Sequence, residues 1–508
     1  MSNNQIMIRP MFKSRIIIPL LESIKRYRDR NAFCINHKYY SYSDFAEVIS
    51  RVRVALINNH VHRDCVGLVV NDDIETYASI VALWLEGNSY VPLHHSWPIQ
   101  RCLDIVSQTK MEFILDSSKV SRFTNAKIIH TSELLFSYEF IELREDISGD
   151  SLAYILFTSG STGTPKGVQI SRDNLGYFMD SFWGTGITVD ENDRCLQCFD
   201  LTFDVSIVSF LVPLTKGACC YTVPNGKVKY VYASGLIEDY SLTFATFAPS
   251  MIRYLKPYFD EIDMSSLRTC ILTAEACPAI LAGELQGIAK DASVYNFYGP
   301  TEATIYCTYY QLLRGKVNKL YNGTVSIGKP LSNVRSIIID DNLNEVSDGE
   351  KGELCVSGEQ ISLGYLNNPH KNSVSFFTRI EGGESIRYYR TGDLCYKDPE
   401  GDIMYSGRLD HQAKIQGYRV EMGEIEYHAS SFLSGSNVVA MPFINSIGNT
   451  EIALFIESES FDTKELEGYL RSVMPSYMLP SHIYFETVFP LNDNGKINKS
   501  KLLHKNLY

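Results

Sequence analysis

Between residues 66 and 115 short apolar runs alternate with helix-like stretches, and this alternation limits the chain to few architectures. Val66 to Val70 is followed by a helix-like stretch from Tyr77 to Leu85, then by Tyr90, Val91, Pro92 and Leu93. A second helix-like stretch from Ile99 to Ser107 leads to Phe113, Ile114 and Leu115. The pattern reads βαβα and predicts a largely parallel sheet. Ala153 to Phe157 is another strand candidate. Around 334–341 and 353–357 the strands shorten, and Asp398, Pro399, Glu400, Gly401 and Asp402 mark a tight turn between two of them.

With 508 residues the chain is too long for one core. A smaller unit begins after Gly407, Arg408, Leu409 and Asp410. It reads as a helix from Glu424 to Leu433, strands at 438–443 and 452–456, and a helix capped by Asp462 or Thr463 that runs towards Val473. The chain closes with Ile483, Tyr484 and Phe485 and a turn at Asn492, Asp493, Asn494 and Gly495. The economical division is a large domain over 1–409 and a small one over 410–508, hinged at Asp410. No internal repeat or low-complexity tract interrupts it.

Net charge is −12, which argues against bulk nucleic-acid binding, since that needs a basic face. No run approaches the roughly 20 apolar residues that span a bilayer. Ile16, Ile17, Ile18, Pro19, Leu20 and Leu21 form a short run that breaks at Pro19, without a cleavage site, and read as a docking segment leading into the first helix. The 12 cysteines form no secreted framework. The lone Cys195–Cys198 pair lacks a zinc partner, so these are expected to be reduced core thiols in a cytoplasmic protein without membrane partners.

The loop Thr158, Ser159, Gly160, Ser161, Thr162, Gly163, Thr164, Pro165, Lys166 and Gly167 follows a strand directly. Glycines let backbone N–H groups approach phosphate oxygens, and hydroxyls and a lysine add donors. Pro165 stands where a Walker loop needs glycine. On composition alone, phosphate cradle and flexible linker stand level. Three further segments carry chemistry. Asn296, Phe297, Tyr298, Gly299, Pro300, Thr301 and Glu302 combine an aromatic face, a tight turn and a carboxylate. Tyr389, Arg390, Thr391, Gly392, Asp393 and Leu394 offer an acid for ribose hydroxyls. Asn494, Gly495 and Lys496 place a lysine on a turn. Singly, each has a bland reading as a turn, a surface ion pair or a solvated lysine.

Together and in this order they resemble the adenylate-forming superfamily of acyl-CoA synthetases, luciferases and nonribosomal peptide adenylation domains. The resemblance runs from 82–93 through 407–426 to Lys496, and its closest branch is the amino-acid adenylation domains, including D-alanine:carrier-protein ligases. It implies an α/β fold: a large N-terminal domain of mostly parallel sheets flanked by helices plus a β-barrel-like part, with a small mobile α+β C-terminal domain. It also implies ATP and Mg²⁺ as cofactors. Thr158, Ser159, Gly160, Ser161, Thr162, Gly163 and Lys166 would cradle the phosphates. Tyr298 would stack on adenine, with Asn296, Phe297 and Gly299 beside it. Thr301 would contact the α-phosphate, Glu302 hold the metal, and Asp393 take the ribose with Arg408. Lys496 would bridge carboxylate, ribose and α-phosphate, offsetting the repulsion between two anions. The small domain would turn about Asp410; Gln416 stands where many relatives carry arginine.

Phe203, Asp204, Val205 and Ser206 match the segment where amino-acid-activating members hold the substrate ammonium, although Asp200 lies close by. Aligned on the motifs, the pocket would be lined by Val205, Val208, Ser250, Ile271, Thr273, Phe297, Ile305 and Tyr306. None is charged, Phe297 and Tyr306 would fill space, and Ser250 and Thr273 offer hydroxyls. The expected substrate is a small neutral amino acid such as alanine, serine or threonine. No carrier site is present in the sequence, and His94 and His95 lack the trailing Asp-Gly of a condensation domain. A free-standing enzyme that loads a separate phosphopantetheinylated carrier protein is therefore expected. The alternatives are a fatty- or aryl-acid:CoA ligase and a non-catalytic nucleotide-binding relative.

Overall fold

A computed structural model describes residues 11–135, 148–160, 163–410, 412–434, 436–490 and 497–507. It contains two sheets of largely parallel strands. In the seven-stranded sheet Cys65–Val70 lies between Ser89–His94 and Phe113–Asp116, parallel to both. The nine-stranded sheet has six parallel strands at its centre, from Ser293–Tyr298 to Asn31–Ile35, and antiparallel strands at its edges. Helices Ile74–Leu85 and Asp204–Leu214 are predominantly apolar and almost wholly buried, as helices covered on most sides must be. Their side chains join residues of both sheets in one apolar core. A third, antiparallel sheet runs Val334–Ile339, Gly352–Gly358, Glu384–Lys397 and Phe376–Glu381, with Ile403–Arg408 also paired to Glu384–Lys397.

By its internal contacts the chain forms two compact units. Arg408–Tyr508 groups with Ser96–Gln108 and Phe157–Lys166; the remainder forms the other unit. Within the smaller unit, Val438–Ile444, Thr450–Glu457 and His482–Glu486 make a three-stranded sheet. Alternation along the strands feeds two small cores. Ala440, Ile452, Leu454 and Ile456 face the helices Met422–Phe432 and Lys464–Val473, whereas Val439, Met441, Ala453 and Phe455 pack with Leu502. The hairpin Gln412–Ile415 and Tyr418–Glu421 turns through Gln416 and Gly417, both at positive φ, which suits a two-residue turn.

Two sequence expectations need correction. Ile16 to Leu21 does not lead into the first helix but is part of it. A five-residue π turn, Lys13–Ile17, runs into Ile18–Arg26, and Pro19 stands just past that turn. A final helix, Lys499–Leu507, follows the strand at which the sequence pattern seemed to stop. Asp204 is the first residue of the helix Asp204–Leu214. The turn at Asn492–Gly495 lies outside the described residues. All twelve cysteines are free, and every one but Cys65 is buried. No helix among the described residues is long and apolar enough to cross a membrane.

Candidate active site

The larger unit gathers the candidate substrate residues. Asp204 opens its helix at 7% exposure, so its carboxylate is removed from water at the point where the rest of the helix is apolar. Burial pushes the carboxyl up to about 6; Thr301 pulls against this by hydrogen bonding, and the Glu302 charge adds to it. Among the described residues Oδ2 has no hydrogen-bond partner. Asp200 differs in kind: its two oxygens face His94 Nε2 at 2.9 Å and Lys229 Nζ at 3.5 Å. Of the two acids, only Asp204 keeps an unmet demand.

Val205 and Val208 follow on one face of the same helix. They share an apolar cluster with Ile271, Phe297, Ile305 and Tyr306. The Phe297 ring lies 4.9 Å from Tyr306 and stacks at 5.5 Å on Tyr309, so aromatic rings fill this side of the pocket. The Tyr306 hydroxyl is buried, with Thr273 and Asp204 as its polar neighbours. Ser250 is less available than its sequence position suggests. Its N–H and hydroxyl both donate to Glu275, at 2.9 and 2.7 Å. Glu275 was missed by sequence reading; its signal is an acid placed just past the apolar strand Thr269–Leu272.

The nucleotide candidates of this unit lie on and beyond the strand Ser293–Tyr298. Asn296 Nδ2 donates to the Ser326 carbonyl at 2.9 Å, and the Tyr298 hydroxyl donates to Asp393. Gly299 permits a close approach no other residue allows, since a Cβ there would stand 2.4 Å from the Ile305 oxygen. The turn Thr301–Ala303 buries Glu302, whose carboxylate accepts from the Tyr365 hydroxyl at 2.6 Å. Tyr365 also escaped sequence reading. A buried, oriented carboxylate of this kind suits a hard divalent cation.

In the smaller unit the described part of the Gly/Ser/Thr loop is held by carboxylates of its own chain. Gly160 N–H donates to Glu424 Oε2 and Lys166 Nζ to Glu421 Oε1, both at 2.9 Å. Ser159 Oγ donates to the Arg419 carbonyl and accepts from Glu421 N–H. The Thr158 hydroxyl turns back to the Lys166 carbonyl. A Cβ on Gly160 would stand 2.0 Å from the Thr164 oxygen, and Gly163 takes a φ of +78°. The main-chain amide and the ammonium both select anionic oxygen, which is the chemistry a phosphate presents. Glu424 is itself bound by Arg101 Nη1 at 2.5 Å. Arg408 forms a bidentate pair with Asp410, at 2.7 and 2.6 Å. Burial opposes the Asp410 charge, but Arg408 outweighs it and holds the carboxyl below its usual range. Ser161, Thr162 and Lys496 lie outside the described residues.

A sequence profile of AMP-binding enzymes matches residues 20–366. The chain belongs to this family. The D-alanine--D-alanyl carrier protein ligase of Bacillus licheniformis is 30% identical over 506 residues, covering 95% of this chain and 98% of that one. Tyrocidine synthase 1 of Brevibacillus parabrevis is 29% identical over 95% of this chain, which spans only 44% of that longer protein. The adenylation domain AlmE of Vibrio cholerae, solved with glycyl-adenosine-5'-phosphate, has the same fold, with a TM-score of 0.85 at 24% identity over 100% of this chain and 99% of that one. This AMP-binding enzyme thus has the α/β architecture of adenylation domains.

Proposed function

We propose that this AMP-binding enzyme activates a small neutral amino acid, such as alanine, serine or threonine, as its aminoacyl-AMP and passes it to the phosphopantetheine thiol of a separate carrier protein. The observation that carries this reading is the unpartnered Oδ2 of buried Asp204. A buried carboxylate without a counter-charge is costly, and a substrate ammonium removes that cost. An acid lacking an amine would leave it in place. The rings of Phe297 and Tyr306 occupy space among the expected lining positions, which favours a small side chain, and no charged residue stands among those positions.

The relatives support the same reading: one full-length match is named for D-alanine and its carrier protein, and one structural neighbour holds a glycyl adenylate. ATP would supply the phosphorus that the substrate carboxylate attacks, with Mg²⁺ offsetting the charge that develops there. Gly160, Ser159 and Lys166 offer donors for its phosphates, Asp393 an acceptor for its ribose, and Glu302 a ligand for the metal. Lys496 keeps the role its sequence position implies, bridging the two reacting anions.

Amino-acid-dependent ATP–pyrophosphate exchange across a panel including both enantiomers tests this directly. Exchange should be greatest with small neutral amino acids. Exchange with fatty or aryl acids and with no amino acid would overturn the reading.

A further inference from the structure

The turn that carries Glu302 also carries the pocket residues Ile305 and Tyr306, and it is held in a conformation its residues resist. Thr304 has a φ of +56° and Ile305 a φ of +72°. Both are β-branched, and consecutive β-branched residues in the left-handed region require external support.

That support comes from one buried segment. Gln360 Nε2 donates to the carbonyls of Ala303 at 2.8 Å and Tyr306 at 2.6 Å, bracketing the two left-handed residues. Thr304 Oγ1 donates back to the Gln360 carbonyl. Ser362 N–H donates to the Glu302 carbonyl at 2.8 Å, and the Tyr365 hydroxyl reaches the Glu302 carboxylate. Gln360 is fully buried, and its Oε1 has no partner, so its side chain contributes through N–H donation alone.

We propose that Gln360 is a positioning residue: its two N–H bonds clamp the strained turn and thereby set the shape of the amino-acid pocket. The inference rests on the pocket reading given above. Without the clamp, Thr304 and Ile305 relax towards ordinary backbone angles, and Tyr306 moves with them. Of the expected ATP-site residues, Thr301 and Glu302 share this turn, whereas Ser159, Gly160 and Lys166 lie on a different stretch of the chain.

The test uses the full-length enzyme. KM for ATP and for each acid of the panel is measured by exchange in the wild type, Gln360→Met, Thr304→Gly and the double variant. Gln360→Met should raise KM for the preferred amino acid by about tenfold or more and narrow the preference over the next larger one. KM for ATP should rise by a clearly smaller factor, since only Thr301 and Glu302 of the expected ATP site lie on this turn. Glycine takes left-handed angles without resistance, so Thr304→Gly should restore most of the loss in the double variant. Parallel rises in both KM values, an unchanged panel ranking, or no recovery in the double variant would each overturn the clamp. Should Gln360→Met fail to fold, Gln360→Asn, with its donors on a shorter stem, is read by the same constants. If the wild type exchanges with a different class of acid, the amino-acid reading falls and the clamp is judged on that acid.

Discussion

Replacing Asp204 with asparagine should make the protein more stable near neutral pH while nearly abolishing its use of amino acids. The carboxyl lies at about 6 in the fold, against an ordinary value of 3.8. Below about pH 4 both folded and unfolded chains hold the proton, and the site costs nothing. As pH rises towards 6 the unfolded chain releases its proton first, so folding loses stability across this window. Above it the full penalty applies, on the order of 3 kcal/mol. Asparagine has no charge to bury, so thermal melts of the variant should exceed those of the wild type at about pH 7 and converge with them near pH 4. Function should move the opposite way. An ammonium entering the site would find no counter-charge, a loss of about 3–5 kcal/mol, or roughly two to three and a half orders of magnitude in KM. In the wild type, amino-acid affinity should weaken as pH falls through the Asp204 value. Unchanged melting with intact exchange would show that the ammonium site lies elsewhere.

The second large effect concerns Arg101 and Glu424. Arg101 is 3% exposed and Glu424 fully buried, and the pair meets at 2.5 Å. Burial works against the guanidinium charge, but Glu424 more than restores it. Two of the Arg101 nitrogens have no other partner, and the Trp97 ring covers the group at 5.4 Å. Glu424→Gln keeps the shape and removes the charge, leaving a buried cation uncompensated, at a cost of about 3–5 kcal/mol. Removing both charges, with Arg101→Met and Glu424→Leu together, should cost far less than either single change implies. Urea unfolding of the wild type, Arg101→Met, Glu424→Leu and the double variant measures this coupling. Additive losses would mean that the two groups are solvated independently.

Much of the fold was legible because each unit obeys one period. The alternation from Val66 to Leu115 appears as parallel strands and helices, with ends displaced by one to three residues. The C-terminal helix escaped because Lys499, Lys501, His504 and Lys505 hide its few apolar positions. At the candidate site, local motifs revealed residues whose neighbours in sequence share their chemistry, such as Asn296 to Glu302. Glu275, Gln360 and Tyr365 act on residues 25 to 63 positions away, and no local pattern marks such partners. The engagement of Ser250 by Glu275 is of the same kind.

The distribution of thiols gives this protein a built-in set of reporters. Cys198, Cys270 and Cys277 are buried, and that burial pushes their thiols up to about 12, where almost no thiolate exists for an alkylating reagent to meet. Modification must then wait for local opening, and its rate reads the free energy of that opening. Cys102 alone belongs to the smaller compact unit, and the other eleven belong to the larger. Pulsed alkylation with mass-spectrometric readout should therefore time the two units separately. If the smaller unit opens on its own, Cys102 will be labelled while the remaining buried thiols stay silent.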